Sequence, residues 1–86
     1  MVIPKEWFVY LLECNDGSYY TGITNDVQAR MKKHESGAGS RYVNSRGFKK
    51  LLFSKKCNSK SQASKYEYEI KSFEKEEKIR WFAKNS

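Results

Sequence analysis

The segment Phe8–Thr24, FVYLLECNDGSYYTGIT, decides how this chain folds. Runs of aromatic and β-branched residues flank an Asn-Asp-Gly triplet, a pattern that is typical of a β-hairpin. We therefore predict strands over residues 6–14 and 18–24. Each strand carries a tyrosine beside small or apolar residues, Tyr10 in the first and Tyr20 in the second. Whether the two tyrosines can act together depends on the register of the hairpin.

Loop length sets that register. A two-residue turn would place Tyr10 and Tyr20 on opposite faces of the sheet, because side chains alternate along a strand. A three-residue loop ending at Gly17, with a type I turn and glycine in the left-handed region, would pair Tyr10 with Gly22 instead. Both tyrosines would then share one face, and Gly22 would leave room beside Tyr10. The triplet Asn-Asp-Gly suits the three-residue loop, so we favour this register.

Chain length and composition predict one small folded domain. The 86 residues (1–86) include six tyrosines, five phenylalanines and two tryptophans, which excludes a disordered chain. A chain of this length buries only about 60% of its unfolded surface, so the core is modest. We expect this core to be built largely from aromatic side chains.

The net charge of +7 and the pI near 9.5 predict a positive field over at least one face. Nucleic acid, an anionic membrane and an acidic protein are the usual partners of such a surface. Charge alone favours nucleic acid only weakly over a soluble protein with excess lysine.

Cysteine usage and hydropathy indicate a reduced, cytoplasmic protein that does not associate with membranes. Cys14 and Cys57 are too few and too far apart for a cysteine-type zinc site. No apolar stretch has the length of a signal peptide or a transmembrane helix. We expect both thiols to pack as small hydrophobic groups.

Capping signals mark two helices after the hairpin. Asn25 with Gln28 three residues on predicts a capping box, and a helix that runs to about Glu35. Ser59 with Gln62 predicts a second box. Between and beyond them we predict a loop at 36–48, a strand at 49–55, a helix from Lys60 to about Phe73 and a short helix at 75–84. The fold class is therefore α/β (α+β), with the order β-β-α-β-α-α and a three-stranded, mainly antiparallel sheet flanked by helices.

Both long helices carry ionisable residues in stripes that should be apolar. Arg30 and His34 lie one turn apart on the inner stripe of the first helix, and Glu67 lies on that of the second. A buried charge costs several kcal/mol unless it is paired or bound to a ligand. One explanation is an internal Arg30–Glu67 salt bridge, with His34 bonded to a tyrosine. The other is a functional site.

These residues carry a resemblance to a known family. Residues 8–10 (Phe-Val-Tyr) and 20–22 (Tyr-Thr-Gly) stand where the GIY-YIG nuclease family has Gly-Ile-Tyr and Tyr-Ile-Gly. Arg30 and His34 match the arginine and the His or Tyr of the family's helix, and Glu67 matches its metal-binding glutamate. The chain most resembles the small, stand-alone bacterial members of one domain, which are largely uncharacterised.

The resemblance implies a catalytic role for five residues. Glu67 would bind one divalent metal ion, Mg²⁺ or Mn²⁺, and Arg30 would hold the scissile phosphate. A tyrosine would help activate the attacking water, and we favour Tyr10, with Tyr20 orienting water or phosphate. An unperturbed tyrosine pKa near 10 is too high for a base at neutral pH. The metal, Arg30 and His34 are the available helpers, and His34 could also accept the proton of the tyrosine.

The loop after the first helix is basic and offers contacts to nucleic acid. Positive side chains would contact phosphates and an aromatic ring would stack on a base. A solvated loop without such a role is the alternative. The candidate residues are Arg41, Tyr42, Arg46, Lys49 and Lys50.

The resemblance therefore implies a metal-dependent endonuclease that acts on DNA, is structure-selective and is linked to repair or recombination, and we expect Gly17 and Gly22 to have structural roles. A nucleic-acid-binding module without useful catalysis and a protein-interaction domain of a repair assembly are the alternatives. The sequence leaves open whether the substrate is DNA or RNA and whether a protein partner exists. A monomer is the default expectation.

Overall fold

A computed structural model describes residues 6–85, so residues 1–5 and 86 of the predicted domain lie outside the described part. The predicted order of elements is confirmed, with one additional short helix. The elements are β1 (Trp7–Cys14), β2 (Tyr19–Thr24), α1 (Val27–Glu35), α2 (Arg41–Arg46), β3 (Phe48–Cys57), α3 (Lys60–Lys71) and α4 (Lys75–Asn85).

The sheet has three antiparallel strands in the order β2-β1-β3, so the first strand lies in the centre. Strand β3 extends beyond the predicted 49–55 at both ends. Its pairing with β1 shifts register twice, between Leu11 and Leu12 and between Glu13 and Cys14. A central position explains why five of the eight residues of β1 are buried and none is fully exposed.

The hairpin has the predicted three-residue loop and register. The Gly17 N–H donates to the Cys14 carbonyl at 2.9 Å, which closes the turn, and Gly17 has a φ of 85°. The Cys14 N–H in turn donates to the Ser18 carbonyl at 2.8 Å. Tyr10 is therefore paired with Gly22, and Tyr10 and Tyr20 share one face of the sheet.

Two separate cores cover the two faces of the sheet. On one face, Val9 and Leu11 pack with buried residues of α3 and α4, among them Ile70 and Phe82. The other face is covered by α1 and α2 and holds Tyr10, Leu12, Cys14, Met31 and Val43. Helices on both sides explain why both faces of the hairpin are apolar in the sequence.

Helix α1 begins one residue later than predicted. Asp26, not Asn25, is the N-cap, and its Oδ1 accepts from the Ala29 N–H at 3.0 Å. The Asp26 N–H is itself held by Thr24 Oγ1 at 3.1 Å, which favours Asp26 over its equally suitable neighbour. Gln28 consequently lies too early in the helix to complete a capping box.

The predicted capping signal of α3 is present. Ser59 is the N-cap, and its Oγ accepts from the Gln62 N–H at 3.1 Å. The Gln62 side chain reaches back and accepts from the Asn58 N–H at 2.7 Å. The start of α3 is therefore held by the two predicted side chains, although Gln62 bonds the N–H of Asn58 and not that of the N-cap Ser59, as a capping box would.

The prediction that residues 36–48 form only a loop is wrong at its centre. Arg41–Arg46 is a six-residue helix, capped by Ser40, whose Oγ accepts from the Val43 N–H at 3.1 Å. Val43 is its one buried residue. A single apolar residue gives no periodicity, so packing against the sheet decides this helix.

Both cysteines are free and buried, as expected. Burial raises the pKa of the Cys14 and Cys57 thiols, which favours their neutral form. Across residues 6–85, no helix has the length and apolar character needed to cross a membrane.

The left-handed conformation at Gly17 predicts a measurable cost for a side chain there. A Cβ would lie no closer than 3.9 Å to Lys75 Nζ, so conformation and not crowding decides the effect. We expect Gly17→Ala to lower the free energy of unfolding by about 1 kcal/mol, and Gly17→Asn to cost less because asparagine tolerates this region better. Urea denaturation of both variants measures the difference. Equal stability of wild type and Gly17→Ala would contradict the loop geometry.

Candidate active site

A buried hydrogen bond joins the centre of β1 to the last turn of α1. Tyr10 Oη lies 2.9 Å from His34 Nε2. Only 1% of Tyr10 and 2% of His34 are exposed, so the pair is almost completely removed from water. Two polar groups that are buried this deeply must satisfy each other, which fixes both side chains.

Gly22 provides the space for Tyr10. A Cβ at position 22 would lie 2.5 Å from Tyr10 Oη, closer than any real contact allows. The tyrosine therefore lies directly over the backbone of β2. This close approach explains why a glycine stands opposite Tyr10 in the hairpin.

The second nitrogen of His34 indicates its tautomer. Nδ1 is buried and has no hydrogen-bond partner within residues 6–85, and the backbone of Gly39 packs against it. An unpaired N–H is rarer in protein interiors than an unused acceptor. We therefore expect Nδ1 to be unprotonated, in which case Nε2–H donates to the oxygen of Tyr10. Burial, with a smaller effect of Arg30, lowers the pKa of His34, so the ring is neutral at pH 7.

Tyr20 extends this pair into an aromatic cluster. Its ring centroid lies 6.4 Å from that of Tyr10 and 5.8 Å from that of His34. Phe48 stacks on His34 with 6.2 Å between centroids, and Tyr42 lies 5.7 Å from Tyr20. The cluster leads from the buried Tyr10–His34 pair towards the surface at Tyr42.

Arg30 and Glu67 stand beside this cluster and are half-buried. The pKa of Tyr10 is raised far above its ordinary value, first by burial and next by Tyr20. The positive charge of Arg30 lowers that pKa and the negative charge of Glu67 raises it. Both charges therefore lie near enough to act on the hydroxyl.

The alternative of an internal Arg30–Glu67 salt bridge is not what the structure has. Glu67 Oε2 instead pairs with Lys71 Nζ at 3.5 Å, one turn along α3. Because both helices are only partly buried at these positions, each charge retains contact with solvent. The other half of that alternative, a hydrogen bond from His34 to a tyrosine, is present.

The side chains of the site suit only a metal ion that takes few of its ligands from the protein. Residues 6–85 contain no group of three or more His, Cys, Asp or Glu side chains that could hold a metal ion. Glu67 is the carboxylate at the cluster, and 26% of its side chain is exposed. Mg²⁺ binds through one or two carboxylates when water and phosphate oxygens complete its shell. Glu67 fits such a site and would not fit a metal held entirely by protein.

The predicted nucleic-acid contacts are only partly brought to this site. Tyr42 joins the cluster, and the Arg46 guanidinium covers its ring at 3.9 Å from the centroid. Arg46 also pairs with Asp16 at 3.2 Å, and Lys49 pairs with Glu13 at 3.7 Å. Both cations are therefore already engaged. The remaining two candidates, Arg41 and Lys50, are exposed.

A cleft of about 310 Å³ adjoins Tyr20, and the sequence analysis missed most of its lining. Lys71 could have been found from its spacing of four residues after Glu67. Lys78 lies in the run Glu74–Lys78, which mixes charges as a solvated helix face does, yet it is half-buried. We name this the edge cleft; it is lined by Tyr19, Tyr20, Thr21, Tyr42, Lys71 and Lys78.

A larger cleft of about 540 Å³ lies between α3 and α4 and shares no residue with the cluster. It is lined by residues such as Glu69, Trp81 and Lys84. The chemistry of the aromatic cluster therefore points to the smaller cleft.

Comparison with known proteins gives consistent matches. A model of the GIY-YIG catalytic domain matches residues 6–80. A UPF0213 protein of Staphylococcus epidermidis is 44% identical over 73 residues, covering 85% of this chain and 89% of that protein. A UPF0213 protein of Halalkalibacterium halodurans is 46% identical over 71 residues, covering 83% and 76%. The solution NMR structure of a UPF0213 protein from Bacillus halodurans matches with a TM-score of 0.56 and 42% identity, covering 91% of this chain and 83% of that one.

The neutral, buried His34 predicts a pH dependence of stability. Its pKa is lowered in the folded state, so the unfolded chain binds more protons as pH falls below about 6.5. We expect the free energy of unfolding to be retained above this pH and to decline as the pH falls from about 6.5 towards the lowered pKa of the folded state. Thermal unfolding of wild type and His34→Gln across this window measures the effect. The same slope in both proteins would contradict the assignment to His34.

Proposed function

The chain belongs to the GIY-YIG family, and we propose that it is a metal-dependent endonuclease that hydrolyses phosphodiester bonds in DNA. The observation that carries the proposal is the buried Tyr10–His34 pair, with Arg30 and Glu67 acting on the same hydroxyl. A structural hydrogen bond alone would not need two opposite charges beside it. We further propose selectivity for DNA structure, with a role in repair or recombination.

Tyr10 is proposed as the general base. With Nε2–H of His34 donating to it, the Tyr10 oxygen has a donor in place when it loses its proton, which favours the tyrosinate. The tyrosinate then removes a proton from the attacking water and holds it on Oη. Tyr20, at the outer side of the pair, orients that water or the phosphate.

Arg30 and Glu67 are proposed to act on the phosphate. The Arg30 guanidinium would bind non-bridging oxygens and stabilise the charge that develops on them. Glu67 would hold one Mg²⁺ or Mn²⁺ ion, which supplies Lewis-acid stabilisation of the leaving oxygen. Arg30 also lowers the pKa of Tyr10, so the same residue assists the base.

The charge of the chain supports a nucleic-acid substrate. A net charge of +7 on 86 residues attracts a polyanion, and exposed cations such as Arg41 and Lys50 could contact phosphates outside the site.

The two buried free cysteines suit the reducing cytoplasm, and we propose that the protein acts there. We also propose that it acts as a monomer, with or without a further protein partner.

A nucleic-acid-binding module without useful catalysis is the second candidate. The observation that favours it is the strongly raised pKa of Tyr10, which makes the residue a poor base unless a bound cation offsets Glu67. Binding without cleavage would then be the function. Metal-dependent cleavage separates the two candidates.

Cleavage of a DNA panel tests the proposal. Plain, nicked, flapped and branched substrates are incubated with Mg²⁺ or Mn²⁺ and wild type, Tyr10→Phe or Glu67→Gln. We expect each substitution to lower the rate by about 10²-fold or more, because each removes one group that acts in the transition state. Glu69→Gln, on the exposed side of the same helix, is the matched control and should retain activity. Salt-sensitive binding without cleavage, unchanged by Glu67→Gln, would support the binding module instead.

The pH dependence of the cleavage rate identifies the base. Because the pKa of Tyr10 is raised above its ordinary value, the tyrosinate fraction grows about tenfold per pH unit through neutral pH. We expect the logarithm of the single-turnover rate to rise with pH from about 6 to 9 at saturating metal. Because the pKa of His34 is lowered, a rate that is already independent of pH above about 6.5 would point to His34 as the base and would contradict the role of Tyr10.

A further inference from the structure

The edge cleft opens at the free edge of the sheet. β2 is an outer strand, and three of its consecutive residues line the cleft. Successive side chains point to opposite faces, so the cleft wraps around the edge and does not lie on one face. Tyr42 of α2 lines it from the side of the Tyr10–His34 pair, whereas Lys71 of α3 and Lys78 of α4 line it from the other side.

Polar groups of β2 are left without partners at this edge. The hydrogen bond from Cys14 to Ser18 fixes which pairs of the ladder are hydrogen-bonded. Hydrogen-bonded and non-hydrogen-bonded pairs alternate along an antiparallel ladder, and Thr21 with Leu11 forms a non-hydrogen-bonded pair. The backbone N–H and C=O of Thr21 therefore point away from β1, towards the outer edge of the sheet. Its side-chain Oγ1 is also buried without a partner within residues 6–85. Only 1% of Thr21 is exposed, so these groups lie beneath the wall of the cleft, and the side chains around them form the surface that meets a ligand.

Two lysines bring positive charge to the same place. Burial, and then the nearby charge of Lys71, lowers the pKa of Lys78. Lys71 pairs with Glu67, but in the part of the chain that the structure describes Lys78 forms no salt bridge. Lys78 is half-buried beside the exposed Lys71, so an anion in the cleft would relieve the repulsion between the two ammonium groups. The lysines of the cleft therefore favour a negatively charged ligand.

Aromatic rings give the cleft a second property. Tyr19, Tyr20 and Tyr42 all line it, with Lys71 Nζ 5.5 Å from the Tyr20 centroid. Tyrosine rings bind nucleobases by stacking without regard to sequence. A volume of about 310 Å³ lies at the lower end of the range for small-ligand sites, which suits one nucleotide and not a duplex.

We propose that the edge cleft binds one unpaired nucleotide of the substrate strand, with its phosphate between Lys71 and Lys78 and its base against the tyrosine rings. The inference rests on the proposed function and gives its substrate class: nucleic acid with an unpaired nucleotide beside the phosphodiester that is cleaved. Tyr20 connects the two sites, since it lines the cleft and contacts His34. An acidic peptide would satisfy the lysines but would leave three tyrosines at the site unused.

Binding of thymidine 3′,5′-bisphosphate to the metal-free protein tests this site directly. Amide shifts in ¹H–¹⁵N spectra locate the ligand, and their titration gives Kd. We expect the largest shifts at Tyr20 and Thr21, and a Kd about tenfold higher for Lys78→Gln, because that variant loses a charge-assisted hydrogen bond to phosphate. Lys84→Gln is the matched control, with the same charge change on the same helix but in the other cleft. Its Kd should stay within about twofold of wild type. Thermal unfolding verifies that both variants fold.

Two further arms test the class of ligand. A blunt hairpin duplex is compared with the same duplex carrying a three-nucleotide overhang, and the Thr21 amide should shift only with the overhang. A hexaglutamate peptide at the same concentration should not displace the bisphosphate.

Equal shifts with blunt DNA, equal losses in Lys78→Gln and Lys84→Gln, or displacement by the peptide would each overturn the inference. The binding test contains no metal and no cleavage step. The binding result can therefore be interpreted even if the protein does not cleave DNA. Likewise, a failure to bind the bisphosphate would not contradict the endonuclease proposal.

Discussion

The register of the hairpin is the constraint on which the rest of the site depends. A loop of three residues, closed by a left-handed Gly17, places Gly22 opposite Tyr10 and leaves space for the phenol above the β2 backbone. Only in that position can the hydroxyl reach His34. A shift of one residue would move the tyrosine to the other face, where α3 and α4 build a separate core. The turn therefore determines the geometry of the Tyr10–His34 pair, although it lies several residues away.

Burial divides the site into two zones. Tyr10 and His34 are removed from water as a neutral pair, which avoids the penalty of an unpaired internal charge. The charged residues Arg30 and Glu67 stay at the rim, where solvent and Lys71 moderate their energies. The pair can therefore stabilise the core between α1 and the sheet, while the charged side chains at the rim remain in contact with solvent. The ionisable residues on the inner helix stripes therefore destabilise the fold less than complete burial of their charges would.

Much of this arrangement follows from local sequence signals, because they act within a few residues. The strands, the hairpin loop and the Ser59 cap are of this kind. The short helix α2 is not, since its stability comes from the packing of Val43 and not from a repeating pattern. The choice of Asp26 over Asn25 likewise depends on one hydrogen bond, which the Asp26 N–H donates to Thr24 Oγ1. The mixed charges of residues 74–78 are typical of a solvated helix face, and only the approach of α4 to the edge of β2 shows that Lys78 is half-buried there.

The contact between Lys75 and Gly17 has a consequence for how the chain is made. Lys75 Nζ donates to the Gly17 carbonyl, 58 positions earlier in the sequence. The hairpin turn is therefore held by a residue of the last helix. The first strand also stays unpaired on one side until β3 has been synthesised. Contacts so distant in sequence form late and slowly. A nascent chain therefore presents Tyr10 and Tyr20 before α3, which carries Glu67, has been made, so the proposed site is complete only after most of the chain has been synthesised.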